Sequence, residues 1–292
     1  MTISALAQYL RVGWELIKSI LTNHLQRRFK TEQRRRLRRL KYIGIDEFAV
    51  RKGHKYMTVV VDLQTGHVVF VADGRDHKCL KPFFEMLARL KVQLSAISID
   101  MSPAYIKAVE LYTEDVPIIH DRFHIVAMMN DVVDELRRKE RKHYPKEQYK
   151  RLKDGRYLLK TNPENLDDDE TERLNGLLEE FPVMALVYRC KEQLRSFYHQ
   201  PSVAEAIKVF DQWLVEVARL GLKPLKTLAR TLKGRRQQME GWYVHPISNG
   251  RVEGLNNKIK MFKRSIFSFR DRDFFKLRLF FLDGLGVRSA HM

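Results

Sequence analysis

Three acidic side chains stand in settings suited to metal chemistry. Asp46 lies in Gly44-Ile45-Asp46-Glu47, and Asp100 closes Ile97-Ser98-Ile99-Asp100. Glu253 lies in Ser248-Asn249-Gly250-Arg251-Val252-Glu253-Gly254-Leu255-Asn256-Asn257. Both aspartates end short apolar runs, as carboxylates do when strands present them at a sheet edge. A hard cation such as Mg²⁺ takes oxygen ligands, keeps some of its waters and accepts phosphate oxygens. Two such ions about 3.5–4 Å apart activate an attacking oxygen and stabilise a leaving one, so phosphodiester chemistry needs no side-chain nucleophile. Taken singly, each acid has a plainer reading as a surface or capping carboxylate. Glu47, Asp62, Asp73 and Asp76 rival Asp46 for the strand position.

The elements that must position these acids are legible in outline. Tyr42–Val50, Tyr56–Asp62 and His67–Ala72 read as three successive strands, with Gln64-Thr65-Gly66 as a turn between the last two. A helix over Leu80–Leu90 follows, then a buried strand over Leu94–Ile99 that ends at Asp100. Ser102 and Pro103 open a helix to Leu111, and Val116–Ile119 is a strand leading to Asp121 and a further helix. Three antiparallel strands followed by alternating helix and strand describe a mixed α/β sheet. In that order the middle of the first strand and the end of the fourth lie side by side. Asp46 and Asp100 would then meet although 54 positions separate them.

From about Ile125 to Tyr243 the pattern is nearly all helix. Val132–Tyr144, Leu174–Leu186, Lys191–Tyr198, Val203–Leu220 and Leu225–Glu240 carry helical periodicity. The run Asp167-Asp168-Asp169-Glu170 fits a helix start, where negative charge is favoured. Glu253 returns 153 positions after Asp100 on a helix with an apolar stripe at Val252, Leu255, Ile259, Phe262 and Ile266. Glu253, Asn257, Lys260 and Arg264 share the opposite face.

The chain has 54 Lys and Arg against 36 Asp and Glu, a net charge of +18. Such an excess favours a polyanionic partner, nucleic acid before acidic membrane. It is most one-sided from Arg27 to Lys41, where Arg34, Arg35, Arg36, Arg38 and Arg39 read as phosphate contacts on a basic linker. Residues 1–29 read as two short helices with a break at Val12-Gly13, compatible with part of a helix-turn-helix and equally with a simple helical hairpin. The two cysteines, Cys79 and Cys190, form no CxxC pair and read as buried thiols. No apolar run is long enough to span a bilayer, and no signal-peptide pattern occurs, so a bacterial cytoplasmic, nucleoid-associated location is expected.

Several stretches resemble the DDE transposases of the ISL-three insertion-sequence group. They are Tyr42–Ala49, Asp121-Arg122-Phe123-His124, Leu152–Leu159 and, most specifically, Ser248–Lys260. The resemblance runs from about residue 42 to 285. It implies a ribonuclease-H-like (retroviral-integrase-like) mixed sheet interrupted by a large all-α insertion. The implied layout is partial helix-turn-helix-like helices and a basic linker over 1–40, the first part of the core over 41–124, the insertion over 125–243 and the rest of the core over 244–292. By the same resemblance Asp46, Asp100 and Glu253 form the catalytic, metal-binding triad, for Mg²⁺ or Mn²⁺ and two ions. Asp121 and His124 are an auxiliary pair, with a capping Asp and a half-buried His as the alternative. Asn257, Lys258, Lys260, Lys263 and Arg264 join the arginine run as DNA contacts. Relatives are expected to begin with a zinc ribbon and a complete helix-turn-helix; here the chain opens inside the latter, with Arg11 where a turn glycine is common.

The function so implied is cleavage at transposon ends and strand transfer into target DNA. The partners are double-stranded DNA, as terminal inverted repeats and target, and further copies of the chain assembled on it. Two other readings share the composition: a non-catalytic DNA-binding remnant, and a ribonuclease-H-type nuclease acting on RNA–DNA hybrids.

Overall fold

A computed structural model describes residues 2–51, 55–265 and 271–282. The chain divides into two compact units, one of residues 1–121 with 245–292, the other of residues 122–244.

The first unit begins with helices α1 (Ile3–Leu10) and α2 (Trp14–Leu37). The break between them is where the sequence puts it. Arg11 takes the left-handed conformation, φ 53°, that glycine would hold without strain, and Gly13 precedes the first turn of α2. The second helix is far longer than expected. With neither Gly nor Pro from Trp14 to Leu37, nothing interrupts it, and Arg34, Arg35 and Arg36 fall in a last turn where the helix dipole favours cations. The basic run is therefore helix rather than linker as far as Leu37.

The sheet strands are β1 (Tyr42–Arg51), β2 (Lys55–Asp62), β3 (Val68–Asp73), β4 (Ala96–Ile99) and β5 (Ile118–His120). Helix α3 (Lys81–Arg89) lies between β3 and β4, and α4 (Pro103–Tyr112) between β4 and β5. The five strands run in the order β3-β2-β1-β4-β5. The β1–β2 and β2–β3 pairs are antiparallel, whereas β1–β4 and β4–β5 are parallel. The α/β sheet expected from the sequence is thus present.

Alternation along the strands builds two cores. Ile43, Ile45, Val60, Ile97 and Ile99 pack with Phe83, Phe84, Leu87, Tyr105, Ile106 and Val109 of α3 and α4. Phe48, Val50, Val59 and Val61 face the other way, against Val252, Leu255, Ile259 and Phe262 of α13 (Gly250–Ser265) and Phe275 and Leu279 of α14 (Arg272–Phe280). The stripe expected on the Glu253 helix is buried from Val252 to Phe262; Ile266 lies outside the described residues. A third cluster joins Leu25 of α2 to Phe274, Leu277, Phe280 and Phe281.

The second unit is helical: α5 (Arg122–Glu140), α6 (Lys146–Asp154), α7 (Arg156–Lys160), α8 (Asp168–Glu180), α9 (Pro182–Ser196), α10 (Val203–Leu220), α11 (Lys223–Lys233) and α12 (Arg236–Glu240). Asp167 caps α8 in a reciprocal box with Glu170, the role read from the acidic run. The helix expected over Leu174–Leu186 is in fact two. Pro182 cannot donate to the preceding turn, so α8 stops and α9 starts with the proline in its first turn. Likewise the helix expected over Leu225–Glu240 divides at Gly234-Arg235. Fully buried Lys191 donates to the carbonyls of Leu159 and Thr161 at 3.0 and 2.9 Å, satisfying the end of α7. Burial lowers its pKa.

Arg36, expected on DNA, is held inside the first unit. Its guanidinium donates to the Val68 carbonyl at 2.9 Å and the Phe280 carbonyl at 3.0 Å, and stacks 4.2 Å from the Phe280 ring centroid. It ties α2 to β3 and to the end of α14. Arg36→Ala is expected to cost roughly 2–3 kcal/mol in urea unfolding, because charged donors to two carbonyls are lost. An unchanged unfolding midpoint with a large loss of DNA affinity would overturn this structural assignment.

Candidate active site

Position and register come from the sheet. Parallel pairing of β1 with β4 sets Ile45 opposite Ile99, and β4 with β5 sets Ile99 opposite His120. The next step along each strand brings Asp46, Asp100 and Asp121 into one row at the same end of the sheet. Neighbouring strands lie about 4.8 Å apart, so Asp46 and Asp100 stand abreast. Ile43 and Ile45 face α3 and α4, so alternation turns Asp46 to the other face, the one covered by α13.

Each aspartate is held by local donors. Asp46 Oδ1 accepts the Glu47 N–H at 2.8 Å, and its Oδ2 accepts from Asn256 Nδ2 of α13 at 2.7 Å. Asp100 Oδ1 accepts the Ser102 N–H at 2.9 Å, at the start of α4. Ser102 occupies the N-cap position as expected, but its hydroxyl makes no capping bond. Asp121 is 2% exposed, and its N–H points at the Ile99 carbonyl, 3.4 Å away. His124 belongs to the first turn of α5, beyond the boundary between the units, where its ring meets that of Phe123 edge-on.

Glu253 occupies the first turn of α13, where the helix dipole favours a carboxylate, and is exposed. The approach of α13 to the sheet depends on Gly44. A methyl group there would sit 2.4 Å from Val252 Cγ2, 2.8 Å from Asn249 Oδ1 and 2.9 Å from Leu63 Cδ2. The missing side chain lets α13 lie directly on β1, two residues before Asp46.

The four rival acids are engaged elsewhere. Glu47 faces the opposite side of the sheet, where Arg75 approaches it at 3.9 Å. Asp62 accepts the Gln64 N–H and the Thr65 hydroxyl at the β2–β3 turn. Asp73 pairs with Arg272 and Lys276 of α14, and Asp76 caps the short turn at Lys78 and Cys79.

As a donor set the row fits a divalent cation. Carboxylates on two adjacent strands match the one or two protein carboxylates that Mg²⁺ takes before water and phosphate complete its shell. Among the described residues, no three His, Cys, Asp or Glu side chains converge closely enough to hold one ion. The expected triad of Asp46, Asp100 and Glu253 is therefore not gathered into one such group.

A family model described as transposase, of the ISL3 type of DDE enzyme, matches residues 43–279. The chain belongs to that family. It is 30% identical over 281 residues to the transposase for insertion sequence element IS1001 of Bordetella parapertussis, covering 95% of this chain and 68% of that protein. It is 28% identical over 292 residues to the transposase for insertion sequence element IS1557 of Mycobacterium tuberculosis strains CDC 1551 and H37Rv, covering 91% of this chain and 65% of those proteins. The chain thus spans about two thirds of the length of these relatives. DDE transposases in general use divalent metal ions. Among the described residues, no helix is long and apolar enough to cross a membrane.

The cations expected on DNA divide in two in this transposase. Arg34, Arg38, Arg39, Lys260 and Arg264 are exposed. Arg35 is also exposed but pairs with Glu32 at 2.7 Å. Lys260 donates to Asn257 Oδ1 at 3.4 Å on the outer face of α13, next to the half-buried Lys258. Lys263, by contrast, donates to the Ala49 carbonyl of β1, and burial followed by repulsion from Lys260 lowers its pKa.

Sequence reasoning passed over two residues beside Asp46, Asn249 and Asn256. Seven positions apart, they lie in the buried stripe with Val252 and Ile259. Amides at core-facing helical positions were the signal available, and the emphasis on charge obscured it. Gly44→Ala is expected to destabilise the first unit by about 1–3 kcal/mol through overpacking. Adding Val252→Ala should recover part of that loss in denaturant unfolding; strictly additive costs would refute the contact.

Proposed function

We propose that this transposase cleaves phosphodiesters at the ends of an insertion sequence and joins the freed 3′ ends to target DNA, on a ribonuclease-H-like core that the helical unit of residues 122–244 interrupts. The observation that carries the reading is the β1–β4 register, which pairs Ile45 with Ile99, the residues just before Asp46 and Asp100. The sheet order, with three antiparallel strands followed by two parallel ones, supports the core assignment.

Asp46 and Asp100 would hold the cation from the sheet, with Glu253 of α13 as the third carboxylate of the set. Mg²⁺ or Mn²⁺, two ions in the full scheme, supplies Lewis acidity toward the phosphate and toward the attacking and leaving oxygens. The chain's own part is positional. The Glu47 N–H and Asn256 fix the Asp46 carboxylate, and the Ser102 N–H fixes that of Asp100. Buried Asp121 extends the row of acids, and with His124 it acts as an auxiliary pair. Lys258, Lys260, Arg264 and Asn257 on α13, with Arg34, Arg35, Arg38 and Arg39, hold phosphates and set the strand's register. Joining two ends requires at least two copies on DNA, and a DNA-bound enzyme places the protein at the bacterial nucleoid.

Nicking of terminal-repeat duplex DNA tests this. Asp46→Asn, Asp100→Asn and Glu253→Gln should each lower Mg²⁺-dependent nicking by roughly 100- to 1,000-fold or more while leaving far-UV circular dichroism unchanged. Undiminished nicking in Glu253→Gln would remove that residue from the site. Salt-sensitive binding without any divalent-dependent cleavage would support the non-catalytic reading instead, and preference for RNA–DNA hybrid would support the nuclease. Lys260→Ala should lower the slope of log affinity against log salt by about 1.

A further inference from the structure

The geometry points to Asn256 as a positioning residue for Asp46. We propose that its side-chain amide fixes the Asp46 carboxylate in the orientation that receives the divalent cation, an inference that rests on the function proposed above. Asn256 sits on α13 and is 7% exposed, within the stripe that also holds apolar Val252, Leu255 and Ile259. Its Nδ2 donates to Asp46 Oδ2 at 2.7 Å, while Asp46 Oδ1 accepts the N–H of Glu47 at 2.8 Å. One tether comes from the strand itself and the other from the helix, so the plane of the carboxylate is fixed from two directions.

Three features separate this arrangement from incidental packing. The first is polarity: reversing the amide would set Asn256 Oδ1 against a carboxylate oxygen, so only one orientation is stable. The second is expense. Asn256 Oδ1 is buried and meets no donor among the described residues, and such a group destabilises a fold. A leucine would fill the same position of an apolar stripe without that penalty. The third is register. Asn249, one heptad earlier and 2% exposed, points Nδ2 at the Ile45 carbonyl 3.5 Å away, and Val252 between the two lies over Gly44. Residues 249, 252 and 256 thus meet β1 at consecutive positions 45, 44 and 46. The helix that carries Glu253 and the strand that carries Asp46 are coupled through these contacts. Partners that orient a metal ligand typically change metal affinity or activity by 10- to 100-fold when removed.

The test uses the full chain and Mn²⁺ alone, with bound ion read by electron paramagnetic resonance and stability by thermal unfolding. Asn256→Leu should fold with an unchanged or higher Tm and yet bind Mn²⁺ about 10- to 100-fold more weakly. Asn256→Asp, nearly isosteric, sets two carboxylates face to face and forces them to share a proton. Mn²⁺ binding by that variant should therefore rise more steeply with pH than in the wild type. Asn256→Leu binding Mn²⁺ as the wild type does, while Asp46→Asn abolishes binding, would overturn the positioning role and leave the proposed function standing. Unchanged binding in Asp46→Asn would remove Asp46 as a ligand and take both down together. Should Asn256→Leu fail to fold, the pH profile of Asn256→Asp decides alone: a profile like the wild type's overturns the role.

Discussion

A helix can lie directly on a strand only where the strand has no side chain in the way. Gly44 provides that place. Val252, Asn249 and Leu63 fill the space a methyl group would need, so α13 is drawn onto β1 close to Asp46. Much of the candidate site depends on this approach. It buries the stripe from Val252 to Phe262 and puts Asn256 within hydrogen-bonding distance of Asp46. It also fixes which face of α13, with Glu253, Lys260 and Arg264, remains exposed.

The approach is reinforced at both ends of the helix. Arg251 donates to the Gln64 carbonyl at the β2–β3 turn, and Lys263 donates to the Ala49 carbonyl near the far end of β1. Two cations from a segment rich in Lys and Arg are thereby spent on main-chain carbonyls, where they hold the helix in register. The same holds for Arg36, which bridges β3 and the end of α14. In a chain with a net charge of +18, basic residues do two jobs, and sequence does not mark which is which. An arginine beside a carbonyl and an aromatic ring becomes part of the fold. One with only solvent around it remains available to phosphate.

The sheet contributes a different constraint. Parallel pairing of β1, β4 and β5 aligns the residues just after Ile45, Ile99 and His120, so three acids from separate segments lie in one row across adjacent strands. The chain leaves this sheet immediately after Asp121, enters the helical unit at Arg122, and returns at His245 shortly before α13. That excursion accounts for the long interval between Asp100 and Glu253. Within the helical unit a capping box, a fully buried lysine on carbonyls and the indole of Trp213 bonded to the Cys190 carbonyl satisfy polar groups that helix packing would otherwise strand.

The sequence alone determined what depends on neighbours along the chain. Alternation and turn residues placed all five strands within a few residues, and capping signals started α4 and α8 correctly. Helix breaks were harder. The sequence reading ran helices through Pro182, whose ring ends α8, and through Gly234-Arg235, where α11 gives way to α12, and it stopped α2 short where nothing does. Registers, and which acid faces α13, needed the tertiary structure. Glu47, Asp62, Asp73 and Asp76 looked equivalent to Asp46 until their cations, turns and capped N–H groups were seen. The role of Asn256 was equally hidden, because an amide in an apolar stripe acquires meaning only from the carboxylate opposite it. Periodicity is a local property written residue by residue. A hydrogen bond across 210 positions is written only by the fold that brings its two ends together.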